Sequence, residues 1–123
     1  VTIQPHYFAL RGIQEFVETI EIMRESLKHD PEVYVLITIA DVRTNLYREV
    51  MSEIEEYFGD QTFKTIIHKN ISIAEASSHG IPVIEYEPES SGAQDYLSLA
   101  REVIELEKEK PEKGLFRKNR LQT

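Results

Sequence analysis

Two short stretches of this 123-residue chain hold side chains that could do chemistry. In the first, Thr38-Ile-Ala-Asp-Val-Arg-Thr-Asn-Leu46, Asp41 falls just past an apolar run and is followed by Arg43, Thr44 and Asn45. An aspartate so placed can accept amide N–H groups at the start of the next helix, or it can face a ligand at a strand end. Arg43 can form a surface ion pair with Glu49 or another acid. The second stretch, Ile67-His-Lys-Asn70, puts a basic side chain and an amide after another apolar run. Other chemistries lack their residues. No Gly-x-x-x-x-Gly-Lys-Ser/Thr loop is present, and the five glycines stand apart at 12, 59, 80, 92 and 114. A loop of that kind holds triphosphate with backbone amides and a lysine, and magnesium with a hydroxyl. There is no Gly-x-Gly-x-x-Gly fingerprint and no Gly-x-Ser-x-Gly elbow. The histidines at 6, 29, 68 and 79 never share a helix face at i, i+4, so no zinc site is expected and no catalytic residue is assigned. The absence of cysteine excludes disulfides and thiol catalysis and fits a reducing compartment.

The elements that must position these stretches follow from periodicity. Val1 to Gln4 reads as the end of a strand stopped by Pro5. Leu10, Ile13, Phe16, Val17, Ile20, Met23 and Leu27 form one helical stripe, ended by Asp30-Pro31. Val33 to Ala40 is β-branched and almost continuously apolar, as in a parallel strand covered on both faces. Leu46, Val50, Met51, Ile54 and Phe58 mark a second helix, capped by Thr44 or Asn45 and closed by Gly59. Thr62 to Ile67 is the next strand. Ser72 and Glu75 form a capping-box pattern for a short helix ending at Gly80. Val83 to Tyr86 reads as a short edge strand between Pro82 and Pro88. Ser91 and Gln94 repeat the capping spacing before the stripe Ala93, Tyr96, Leu97, Ala100, Val103 and Ile104. Such alternation predicts an α/β fold, a parallel sheet with flanking helices. Ligands of such sheets sit beyond the carboxyl ends of the strands, here at Gln4 to Tyr7, Ala40 to Asn45 and His68 to Ser72.

The net charge of −8 opposes nucleic-acid binding by the chain as a whole. Lys113, Arg117, Lys118 and Arg120 crowd the last residues, which read as a solvated tail, so residues 1–107 are expected to form the domain and 108–123 a charged tail. The longest apolar run is a strand's length, too short to span a membrane. The chain opens without Met and with nothing like a signal peptide, so more sequence is expected upstream.

Four segments, in order, resemble the ParA/Soj family of partitioning ATPases, of the MinD/ParA deviant phosphate-loop class. Gln4 to Gly12, QPHYFALRG, is similar to "Q-P-E-Y-F-A-L-E-G". Val35 to Glu49, VLITIADVRTNLYRE, resembles the family's strand into "T-M-x-D-x-R-T-N-L". Tyr57 to Ile84 resembles "Y-F-x-x-x-V-F-x-T-x-I-P-R-N-V-R-L-S-E-A-P-S-x-G-K-P-I", and Tyr86 to Val103 "Y-D-P-x-S-x-G-A-x-x-Y-x-x-L-A-x-E-V".

The resemblance implies the carboxyl-terminal portion of a ParA/MinD-like phosphate-loop NTPase fold. In full length, such proteins use ATP and Mg²⁺, dimerise around two ATP molecules, bind DNA non-specifically and are triggered by a ParB-type partner to segregate chromosomes or plasmids. The implied setting is cytoplasmic and nucleoid-associated, without a membrane. Carried over residue by residue, Thr38, Asp41, His68, Lys69 and Asn70 belong to the adenine end of the nucleotide site. Arg43 and Lys69 would contact DNA. The family's proline and arginine in "I-P-R-N" are His68 and Lys69 here, its "N-V-R-L" arginine is Ser72, and the "P-R-S-R-G" arginines give way to Glu89 and Ser91. These departures weaken the expected DNA binding. Without the phosphate loop the chain should hold neither ATP nor Mg²⁺ on its own and should not hydrolyse ATP, and exposed strand edges favour self-association. The alternative is a stand-alone, non-enzymatic interaction module. A third reading, Asp41 as phospho-acceptor, would need an acidic pair early in the chain, and residues 1–14 offer none.

Overall fold

The computed structural model describes residues 1–109; the basic cluster from Lys113 to Arg120 lies outside them. The order is β1 (Thr2–Ile3), α1 (Ala9–Leu27), β2 (Val35–Ala40), α2 (Asn45–Phe58), a 3₁₀ turn (Gly59–Gln61), β3 (Thr62–His68), α3 (Ile71–His79), α4 (Val83–Tyr86) and α5 (Ser91–Glu109). The three strands form one parallel sheet in the order β1-β2-β3. This is the expected α/β architecture, with β2 at the centre.

The first core cluster joins α1, β2 and α2. Ala9 and Ile13 of α1 meet Val35, Ile37 and Ala40 of β2 and Val50 and Ile54 of α2. Val35, Ile37, Val50 and Ile54 are fully buried, and each such side chain contributes about 2 kcal/mol by leaving water. Of the two N-cap candidates for α2, Thr44 takes the cap and Asn45 is the first helical residue, while Gly59 closes the helix as expected. Thr44 Oγ1 accepts the Tyr47 amide at 3.1 Å, and Gly59, at φ 45°, gives its N–H to the carbonyls of Ile54 and Glu55.

At its carboxyl end β2 bulges. Ile37 pairs with Ile66 and Ala40 with His68, so β2 spends one residue more than β3 over this interval. Ile39 has φ 51°, a conformation that strains a β-branched side chain by about 1–3 kcal/mol. The bulge leaves Ile39 half exposed and Ala40 buried, and it sets where Asp41 leaves the sheet.

The second cluster joins α3, α4 and α5 through Ala76, Val83 and Ala93, with Ile73 and Tyr86 packed against it. Three sequence expectations change here. Val83 to Tyr86 is not an edge strand but a single helical turn. Pro82, at φ −62° and ψ 144°, starts it by accepting the amides of Glu85 and Tyr86, and the three-residue spacing of Val83 and Tyr86 turns both inward. Asn70, rather than Ser72, caps α3: its Oδ1 accepts the Ser72 amide at 3.0 Å. Ser72 is thereby drawn into the helix and buried, its hydroxyl donating to the Glu87 carboxylate, while Glu75 accepts from the Tyr86 hydroxyl. Ser90 takes the corresponding place before α5, its Oγ accepting the Ala93 amide at 3.1 Å.

Helix α5 runs along the outer side of β3. Glu102 accepts the amides of Lys64 at 2.5 Å and Thr65 at 2.9 Å, and Asp95 accepts that of His68 at 2.9 Å. Both amides of the 64–65 pair reach one carboxylate because β3 is irregular where Val35 pairs with Thr62 and Ile37 with Ile66. Among the described residues no helix is long and apolar enough to cross a membrane.

Candidate functional site

Parallel pairing brings the loops after β2 and β3 side by side. Ala40 pairs with His68, and the Lys69 amide donates to the Ala40 carbonyl at 3.0 Å. The positions singled out by sequence, 38–43 and 68–70, therefore share one end of the sheet. Beside them runs the segment after β1, where Tyr7 and Phe8 are exposed and meet edge to face at 5.4 Å.

Asp41 and Arg43 form one unit. The Arg43 guanidinium donates from Nε to Asp41 Oδ1 at 2.9 Å and from Nη2 to Oδ2 at 3.0 Å, and the Arg43 amide adds a bond to Oδ1 at 3.2 Å. These bonds, with the nearby charges of Arg43 and Lys69, hold the Asp41 carboxyl down at about 2. Asp41 raises the guanidinium of Arg43 in turn. The amide that Asp41 accepts is that of Arg43, ahead of the Thr44 cap, and the acid that pairs with Arg43 is Asp41 rather than Glu49. The Arg43 side chain is 86% exposed, so its outer face stays open to an anion. Thr38 is half buried on β2, within the bulged stretch between Ile37 and Ala40.

In the second loop the side chains are more committed than the sequence implies. His68 Nδ1 lies 3.0 Å from Asp95 Oδ2, the oxygen that also takes the His68 amide. Asn70 uses both ends of its amide: Oδ1 caps α3 and Nδ2 donates to Ser91 Oγ at 2.7 Å. Lys69 and Ile71, by contrast, are exposed, the latter 74%. No group of three or more His, Cys, Asp or Glu among the described residues could hold a metal ion.

The sequence reading missed Asp95, which steadies the β3 loop at His68, and Glu102, which holds the amides of Lys64 and Thr65 within the strand. Their seven-residue spacing puts them on one face of α5, next to the apolar stripe, and that is the signal that could have found them. It also missed Gly92. A Cβ there would lie 2.6 Å from Ile73 Cγ1 and 2.9 Å from Asn70 Oδ1.

The chain is similar to the sporulation initiation inhibitor protein Soj of Bacillus subtilis, 41% identical over 104 residues, 84% of this chain and 41% of that protein. The chain belongs to the ParA/Soj family. The chromosome-partitioning ATPase Soj of Treponema pallidum is 36% identical over 105 residues, 85% of this chain and 42% of that protein. The chromosome partitioning protein ParA of Caulobacter vibrioides is 38% identical over 115 residues, 93% of this chain and 43% of its own length. The chain thus spans about two-fifths of the curated relatives it matches. No family model matches it.

Proposed function

We propose that this chain serves chromosome or plasmid partitioning as the part of a ParA/Soj-type ATPase that walls the adenine end of the ATP site. What supports the reading most is the abutment of the two loops, joined by the Lys69 amide and the Ala40 carbonyl. Thr38, Asp41, His68, Lys69 and Asn70 border the base in this reading. Lys69 and Ile71 face it, while His68 and Asn70 fix the loop through α5. The whole protein binds ATP with Mg²⁺, dimerises, binds DNA non-specifically and answers to a ParB-type partner in the cytoplasm, at the nucleoid. Phosphate and Mg²⁺ are gripped by groups other than those described, because triphosphate affinity comes from a phosphate loop. Chain 1–123 alone therefore does not hydrolyse ATP.

Amide-resolved NMR titration of the chain with adenosine tests this. The expected shifts are confined to residues 38–43 and 67–71, with affinity no tighter than millimolar. Shifts clustered elsewhere, or none at millimolar adenosine, would remove the adenine-wall assignment. Calorimetry with ATP and Mg²⁺ should show no binding tighter than millimolar, and a micromolar isotherm would overturn the assignment of triphosphate affinity to a phosphate loop.

A further inference from the structure

We infer that the groove between α3, α4 and α5 docks a basic segment of another protein carrying one large apolar anchor. The groove has a volume of about 290 Å³ and is lined by Ile73, Ala76, Ile81, Val83, Ile84 and Tyr96 among others, with no charged side chain in its wall. Its rim is apolar and open: Ile81 is 41% exposed, Ile84 43% and Tyr96 39%. It is built from the second core cluster, on elements separate from the loops that follow β1 and β2. The space suits one large side chain, an isoleucine, leucine or aromatic ring, entering from outside.

Charge specifies what flanks that anchor. Residues 71–109 contain nine carboxylates against two basic side chains, Arg101 and Lys108, a net charge of −7. Several of the acids are spoken for: Glu75 by Tyr86, Glu87 by Ser72, Asp95 and Glu102 by β3. Glu85, next to the rim residue Ile84, and Glu89, beyond the end of α4, are exposed. An apolar slot in an acidic field favours a partner with the opposite pattern, and it selects against nucleic acid and acidic peptides. A second copy of the chain would bring the same sign of charge to the contact.

The test is a selection of random peptides displayed on phage against the full chain, followed by affinity measurement on two surface variants. Selected sequences are expected to combine lysine or arginine with one large apolar residue. Ile84→Ser should weaken them about fivefold at any salt concentration, since it removes apolar contact area. Glu85→Lys should weaken them at low salt and lose its effect at high salt, where charges are screened. Circular dichroism of both variants controls for folding. Peptides that are acidic or lack an anchor, binders indifferent to both substitutions, or no enrichment at all would overturn the inference. So would sedimentation showing that the wild-type chain dimerises and the Ile84→Ser chain does not.

Discussion

Gly92→Ala probes the junction that holds the β3 loop in place. The new methyl group would sit 2.6 Å from Ile73 Cγ1, 2.9 Å from Ile73 Cδ1 and 2.9 Å from Asn70 Oδ1. Carbon pairs prefer about 3.5–4.0 Å, so roughly 1 Å of overlap must be relieved. Neither neighbour yields easily. Ile73 packs on the Ala76, Val83 and Ala93 cluster, and Asn70 Oδ1 is held by the Ser72 amide. Overpacking of this kind costs about 1–3 kcal/mol, and displacing the Asn70 cap adds about 1 kcal/mol. Alanine returns at most about 1 kcal/mol through helix propensity. The net loss is about 2 kcal/mol, a fall in Tm on the order of 10 °C for a domain of this size. Thermal and urea unfolding followed by circular dichroism would measure it, with m unchanged. Ile73→Ala should absorb the clash, so the double variant Gly92→Ala/Ile73→Ala should be more stable than the single losses summed, by about 1 kcal/mol or more. An unchanged Tm for Gly92→Ala, or strict additivity in the double variant, would refute the close-approach explanation.

Glu102→Ala removes the acceptor of two β3 amides; hydrogen exchange at Lys64 and Thr65 should accelerate well beyond that at β2, with a stability loss of about 1–3 kcal/mol. The Asp41 carboxyl, followed by NMR, should titrate near 2, and in Arg43→Ala it should return toward the ordinary value of 3.8. Because folding lowers this acid, its contribution to stability is present above about pH 4 and disappears as the pH falls through 2. For DNA, the expected interaction is weak and salt-sensitive. Arg43→Ala should lower it and Asp41→Asn should raise it by releasing the guanidinium, with Glu49→Gln as the control for net charge; identical isotherms for wild type and Arg43→Ala would take Arg43 off the DNA surface.

The first half of the fold could be read element by element because its signals are local and unopposed. Val33 to Ala40 is apolar on both faces, Thr44 is a strong cap, and Gly59 takes a positive φ that few other residues accept. In the second half, local signals compete. Val83-Ile84 has the branching of a strand, yet Pro82 and the inward pair Val83 and Tyr86 favour a turn of helix. Ser72 and Glu75 have capping-box spacing, but Asn70 lies upstream and takes the cap, and Ser72 ends up inside. The adjacency of the two loops followed from parallel order alone. What the side chains do there did not, because the partners of His68 and Asn70 stand on α5, 27 and 21 residues away. The strain at Ile39 likewise depends on the register between β2 and β3, which residue types do not encode.

The carboxylates of α5 have a consequence for how the sheet can grow. Amides that a neighbouring strand would need are already taken along β3, and the helix body shields that flank. Strand addition, by more polypeptide or by another molecule, is therefore directed to the β1 side. The molecule is polar in the sense of a brick with one mortared face: layers accrue from a single direction, and back-to-back stacking into ribbons is blocked.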